Sequence, residues 1–342
     1  MYKESMKVIV IGAGRMGIRH AQGLLQVPAI AELVLVDIKE EALANAKNTL
    51  NSQTTKILSF ITLENFIGTP IQADIVIDAS TAQNRIERLE HILKTNCKYI
   101  LIEKPLGQSL EEVEEVIHFS KNQKTPIFVN LNMRMYEMFR KIQQDLQQMP
   151  QLKGFANISV NTGTLGIGAN GIHYLDLCMF LLDANKTELI AGEIEETVIP
   201  SGRGADFGDF GGWATIKFFR DDIYKGRLQI SMSSESTVFG SWEIVAPHGR
   251  IQFNEVEGKL NYQLRKVDSQ MPINRYFADY QPLETENFES PFLGDLTKLW
   301  VETLIKDGKS LLPLLEESYE THKLMFEWLS LSKTHQKLFP IT

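Results

Sequence analysis

An α/β protein in two parts is what this sequence predicts: a doubly wound parallel sheet over residues 1–130, then an α+β domain over residues 131–342. Three observations carry that prediction. Up to about residue 125, short apolar runs alternate with helical patterns, which is the signature of βαβ units. The first apolar run ends in a glycine-rich turn that opens a helix. From residue 188 the pattern changes to strands joined by turn signals, the mark of an antiparallel or mixed sheet.

In the first part, strands are expected at 7–12, 32–37, 56–60, 75–79, 99–103 and 127–130. They read Val-Ile-Val-Ile, Leu-Val-Leu-Val and Ile-Val-Ile, continuous apolar runs that suit strands covered on both faces. Helices are expected at 15–26, 40–51, 85–94 and 110–121. Ser109, ahead of Leu110-Glu-Glu-Val-Glu-Glu, is a good N-cap followed by acids in the first turn. After Asn130, residues 138–149 and 171–182 read as helices. Strands then follow at 213–219, 227–233, 242–246, 250–253 and 260–267, with turns at Pro247-His-Gly249 and Glu257-Gly258. Alternating stretches such as Ala-Thr-Ile-Lys-Phe give this sheet one covered face. Helices return at 292–306 and 314–332, as candidates for packing back across the domain boundary.

Composition removes several function classes. Of 342 residues, 43% are hydrophobic and 23% charged, an ordinary globular balance that argues against disorder. The net charge of −8 leaves no electrostatic footprint for nucleic acid. No apolar run approaches the ~20 residues of a membrane span, so no membrane partner is expected. Met1-Tyr-Lys-Glu-Ser-Met6 runs into the first strand without a signal-peptide core, and Cys97 and Cys178 show neither disulfide nor metal-type spacing. The expectation is a cytoplasmic protein without a metal site.

The first strand ends in Gly12-Ala-Gly14-Arg-Met-Gly17, a G-x-G-x-x-G between a strand and a helix. Gly12 permits the tight turn, Gly14 lets backbone N–H groups approach a pyrophosphate, and Gly17 allows close helix–strand contact. Arg15 and Met16 open the helix whose positive end would face the phosphates. Asp37 ends the second strand 20 residues after Gly17. A carboxylate there accepts from a ribose 2′-hydroxyl and repels a 2′-phosphate, so NAD is favoured over NADP; Lys39 nearby softens that preference. The alternative is a glycine turn of another α/β protein, with Asp37 a plain helix cap.

The fifth strand ends Ile102-Glu103-Lys104-Pro105. In an open α/β sheet, ligands bind beyond the strand carboxyl ends, so Lys104 stands where a substrate and a nicotinamide would meet. Position alone favours a surface lysine at a strand end, followed by a helix-starting turn. His173 and Asp176 lie three apart on one helix; a histidine there titrates near neutrality and can exchange a proton, or simply be hydrogen-bonded at a helix start. Asn132 and Arg134 follow the sixth strand, near substrate or at a solvated helix start. Ser201-Gly-Arg-Gly-Ala-Asp-Phe-Gly-Asp-Phe-Gly-Gly212 reads as a flexible connection, or a lid carrying Arg203, Asp206 or Asp209.

Together, Gly12-Ala-Gly-Arg-Met-Gly17, Glu103-Lys104-Pro105, Asn132-Met-Arg134 and Gly171-Ile-His173-Tyr-Leu-Asp176 resemble the Gfo/Idh/MocA (glucose–fructose oxidoreductase / inositol dehydrogenase) family. The resemblance implies an N-terminal Rossmann domain and a C-terminal domain on a large open, mainly antiparallel sheet. It also implies homodimers or homotetramers, and hydride exchange between a nicotinamide and a carbinol carbon of a sugar, nucleotide sugar or cyclic polyol. Lys104 matches the lysine of the family's Glu-Lys-Pro motif and His173 its acid/base histidine. Gly12, Gly14, Arg15, Met16, Gly17, Asp37, Ser80, Thr81, Glu103 and Lys104 would border the cofactor; Asn132, Arg134 and Asp176 would lie near substrate. Two departures stand out: Ala169 occupies the place of an aspartate four residues before the histidine, and Arg85 that of a histidine after the fourth strand. Arg85 reads as a helix-surface charge. An NAD-dependent glycoside hydrolase and a non-catalytic NAD-binding protein are the alternative functions.

Overall fold

The computed structural model describes residues 5–51, 56–69, 71–200, 207–272, 274, 279–282 and 284–332. Arg203 and Asp206 lie outside them. The chain divides into two compact units: Met1–Asn132 with Pro291–Tyr319, and Met133–Ser290 with Glu320–Thr342.

The first unit opens with β1 (Met6–Ile11), α1 (Arg15–Leu25), β2 (Ile30–Asp37), α2 (Glu40–Leu50) and β3 (Ile57–Thr62). It continues through α3 (Leu63–Gly68), β4 (Ile75–Asp78), α4 (Arg85–Leu93), β5 (Tyr99–Ile102), α5 (Leu110–Ser120) and β6 (Ile127–Val129). The six strands form one sheet in the order β3-β2-β1-β4-β5-β6, parallel at every pairing. This is the doubly wound order of a dinucleotide-binding domain, whose strand order reverses beside β1. Val8, Ile9, Val10, Leu33, Leu35, Ile75, Val76 and Ile77 are fully buried, as the continuous apolar runs require. Ser109 caps α5 by accepting from the Glu112 N–H.

The second unit carries α6 (Glu137–Gln148), β7 (Ala156–Thr162), α7 (Ile172–Leu181), β8 (Lys186–Pro200), β9 (Gly208–Arg220) and β10 (Ile223–Met232). It goes on through β11 (Ser241–Ala246), β12 (Gly249–Asn254), β13 (Lys259–Leu264) and β14 (Glu284–Asn287). The eight strands run β14-β13-β12-β11-β7-β10-β9-β8. All neighbours are antiparallel except β7 and β10. Alternation is strict on β11 and β13, where every second side chain is buried. Tyr174, Trp242, Phe253 and Phe139 cluster there at centroid separations of 5.2–6.3 Å, with Trp242 stacked on both Tyr174 and Phe253, and Phe139 meeting Phe253 edge-on.

Five elements differ from the sequence expectation, which has neither α3 nor β8. β7 is absent from it, although Ala-Asn-Ile-Ser-Val-Asn-Thr alternates and the strand lies centrally. β14 is a short edge strand of polar residues, which apolar periodicity does not register. Residues 208–212, read as part of a loose connection, are the start of β9, paired to β8 and β10.

The chain then returns to the first unit as α8 (Leu293–Asp307), taking residues 291–319 out of the expected C-terminal domain. α8 packs on α1, and Leu314 bridges antiparallel to Phe128 on β6. The last described helix, α9 (Tyr319–Leu329), belongs to the second unit from Glu320 onward. Among the described residues no helix is long and apolar enough to cross a membrane.

Candidate functional site

β1 delivers the chain into Gly12, whose φ of +93° lies in the region that L side chains avoid. A Cβ on Gly17 would stand 1.7 Å from the Gly12 carbonyl oxygen, so the helix start can pack this closely only through glycine. Over Gly14 the situation reverses: a Cβ there would meet nothing within 4 Å. Gly14 and Arg15 are exposed, Met16 is half-buried, and no side chain caps α1. The first turn of α1 thus carries no side-chain cap and begins beside open space over Gly14, an arrangement suited to binding a phosphate. The cradle fits the pyrophosphate of a dinucleotide.

Asp37 closes the other side of this loop. Its Oδ2 accepts from the Ala13 N–H at 2.7 Å and its Oδ1 from the Lys39 N–H at 2.9 Å. The N-cap of α2 is Lys39, not Asp37, so Asp37 is no plain helix cap; it ties the glycine turn to the end of β2. A carboxylate offers about four lone-pair sites, and these two bonds leave capacity for a ribose hydroxyl.

Behind the carboxyl ends of β4 and β5 lie two buried charge clusters. Asp78 is fully buried, with Arg85 Nη1 2.6 Å and Arg88 Nε 3.1 Å from its Oδ2. Its Oδ1 accepts from the N–H and hydroxyl of Ser80. Burial pushes the Asp78 carboxyl upward, but the two guanidinium groups and Ser80 overcome it and hold it at about 2. Ser80 and Thr81 are half-buried; the Thr81 carbonyl accepts from Arg88 Nη2 at 2.5 Å.

Arg85 departs from its reading as a surface charge: it is 3% exposed, and its Nη2 donates to the Glu103 and Pro105 carbonyls at 3.0 and 3.3 Å. Glu103 lies in the second cluster. Its side chain is buried, with Oε1 2.9 Å from His20 Nε2 and 2.7 Å from Asn130 Nδ2. Burial raises the Glu103 carboxyl, while His20, Lys104 and Asn130 together bring it to about 2. His20 Nδ1 lies 2.7 Å from Thr297 Oγ1, whose hydroxyl donates to the Leu293 carbonyl. Between these clusters sits Lys104, 9% exposed, joined to Pro105 by a cis peptide bond.

In the second unit, Arg134 and Asp176 form a bidentate pair with both contacts at 2.6 Å. The guanidinium lies 5.7 Å from the centroid of the Phe180 ring. Asp176 is fully buried and anchors Arg134. Asn132 is half-buried, and His173, half-buried, stands in the first turn of α7. A π-helical turn, Ile167–Gly171, leads into α7. Asp209 caps that turn from β9, accepting from the N–H groups of Gly168 at 3.0 Å and Ala169 at 2.6 Å. Being 3% exposed, Asp209 is no lid residue. Lys104 belongs to the first unit and His173 to the second.

The glycine turn and Asp37 are thus brought together, as are Arg134 and Asp176. His20, Asp78, Asn130 and Thr297 were not singled out by the sequence. The nearest signal was Asp78 itself, an acid ending an apolar strand with arginines seven and ten residues on. Among the described residues no group of three or more potential metal ligands occurs.

Residues 6–131 match the GFO_IDH_MocA family, described as an oxidoreductase family with an NAD-binding Rossmann fold. The myo-inositol 2-dehydrogenase of Thermotoga maritima is 25% identical over 142 residues, 42% of this chain and 41% of that protein. The chain thus matches less than half the length of this curated relative. An oxidoreductase from Agrobacterium radiobacter, solved with NAD+, L-tartaric acid and magnesium, shares the fold with a TM-score of 0.71. It is 14% identical, over 96% of this chain and 97% of its own. The UDP-N-acetylglucosamine 3-dehydrogenase of Acidithiobacillus ferrooxidans superposes with a TM-score of 0.70 at 14% identity, over 97% and 99% of the two chains.

Proposed function

From the match of residues 6–131 to the Gfo/Idh/MocA oxidoreductase family, we propose that the chain exchanges hydride between NAD and a carbinol carbon of a sugar, nucleotide sugar or cyclic polyol. The observation that carries this reading is the open, uncapped cradle over Gly14, closed on one side by Asp37. When bound, the nicotinamide supplies the hydride acceptor. The N–H groups at the start of α1 hold the phosphates, with Arg15 beside them. Ser80 and Thr81 border the cofactor, and Asp37 takes the ribose hydroxyl, disfavouring NADP by charge repulsion.

Lys104 acts on the substrate oxygen. Its ammonium group stabilises the alkoxide that forms as hydride leaves carbon, and its low exposure strengthens that attraction by excluding water. His173 exchanges the hydroxyl proton. Asn132 and Arg134 bind substrate hydroxyls, with Arg134 held rigid by Asp176. The names of the relatives, a myo-inositol and a UDP-N-acetylglucosamine dehydrogenase, supply the substrate classes. We take the working assembly to be a homodimer or homotetramer and the compartment to be cytoplasmic.

The test is near-ultraviolet absorbance of reduced nicotinamide, with NAD and a panel of polyols, sugars and nucleotide sugars. The expected result is a rise that Lys104→Ala and His173→Ala each reduce by about 10²–10⁴-fold, with NAD affinity unchanged. Turnover indifferent to both substitutions would overturn the assignment. Glycoside cleavage without accumulating reduced nicotinamide would replace it by transient redox chemistry.

A further inference from the structure

We propose that Arg85 is a positioning residue for Lys104, fixing the backbone on both sides of it through one guanidinium group. This rests on the reading of Lys104 as the group that meets the substrate oxygen. Arg85 opens α4, and its Nη2 donates to two carbonyls, Glu103 at 3.0 Å and Pro105 at 3.3 Å. These are the residues immediately before and after Lys104. Its Nη1 is braced 2.6 Å from Asp78 Oδ2, at the end of the strand that pairs with β5.

Charge balance does not require this guanidinium. Arg88 already pairs with Asp78 at 3.1 Å, and a second cation in a buried cluster carries a desolvation cost of its own. Among the described residues, Arg85 Nε is buried and faces no acceptor, a further cost of leaving a donor unmade. What Arg85 adds in return is the pair of carbonyl bonds flanking Lys104. A planar fork makes them from Nη2 while Nη1 keeps the Asp78 contact, whereas a lysine has to reach all three acceptors from a single nitrogen. On the other side the Glu103 side chain is held by His20 and Asn130. The Lys104 backbone is therefore gripped from both flanks, and its ammonium swings from a fixed base.

The test compares Arg85→Lys with Arg88→Lys, which alters the same Asp78 cluster but whose wild-type carbonyl partners are Thr81 and Gln83. Two readouts are used on the NAD-bound protein. The first is the pH-dependent acylation of Lys104 by acetic anhydride, mapped by mass spectrometry. The second is turnover on whichever panel compound reacts, in wild-type and Lys104→Ala backgrounds. Arg85→Lys is expected to change Lys104 acylation severalfold and to lower kcat by about 10²-fold, with KM for NAD unchanged and no further loss in the Lys104→Ala background. Arg88→Lys leaves Lys104 acylation near wild type. Equal effects of both variants on acylation, or an equal loss of turnover with and without Lys104, would overturn the proposal. If Arg85→Lys does not fold, Arg85→Gln, which keeps a planar donor, takes its place. Turnover indifferent to Lys104→Ala, alongside an acylation change specific to Arg85→Lys, refutes the catalytic reading while leaving the backbone clamp standing.

Discussion

Glu103 and Asp78 are carboxylates with no water to solvate them, and both remain ionised because cations and hydrogen-bond donors surround them. Each is held at about 2 in the folded protein, against ordinary values of 4.5 and 3.8. A depressed carboxyl contributes stability that is fully present above its unfolded value and is lost as pH falls through its folded value. The protein is therefore expected to lose stability between about pH 4.5 and pH 2. Glu103→Gln should lower Tm at neutral pH yet flatten its dependence on pH across that window, read by circular dichroism melts at a series of pH values. An unchanged slope would remove Glu103 from the acid transition. Little of this was legible beforehand. Arg85 in a string of letters is a charge on a helix, and only the fold reveals that its helix begins behind the end of β4. Asp78 terminates an apolar strand much as Asp37 does, but one of the two is fully buried and the other is not.

At the level of elements, the glycine turn was the most readable part of the molecule, since each glycine has a steric reason that does not depend on distant residues. Gly17 is the sharpest case. Adding one methyl group there places it 1.7 Å from the Gly12 carbonyl oxygen, so α1 must lift away from β1. Gly17→Ala is expected to cost about 1–3 kcal/mol of stability, as overpacking does, and to weaken NAD binding sharply; isothermal titration and thermal melts check the two effects separately. The six parallel strands were legible for a similar reason, being mostly apolar. β7 was not, because its alternating polar residues sit between two helices and only long-range pairing with β10 and β11 makes it a strand. The acceptor at the Ile167–Gly171 turn was equally hidden, for Asp209 reaches Ala169 from 40 residues further along the chain.

On the scale of the whole molecule, the first unit is discontinuous in sequence. α8 lies against α1, where a Cβ on Gly23 would stand 2.0 Å from the Gly294 carbonyl oxygen, and Thr297 completes the polar chain through His20 to Glu103. Residues 1–132 joined by a flexible linker to 291–319 are therefore expected to melt at a higher temperature than residues 1–132 alone; equal melting by circular dichroism would show the returning helix to be dispensable. The helical pattern of α8 was plain in the sequence, but its destination was not, because periodicity describes a face and not the surface that face meets.

The contact between His20 and Thr297 spans 277 residues, and this separation sets a timetable for synthesis. At the roughly 5–20 residues per second of a translating ribosome, α1 waits on the order of 15–55 s for the helix that covers it. Throughout that interval the nascent sheet exists with one of its helices half-clothed and Glu103 without its full set of partners. A chaperone that shelters apolar helix faces would have this window, and not the finished protein, as its moment of engagement.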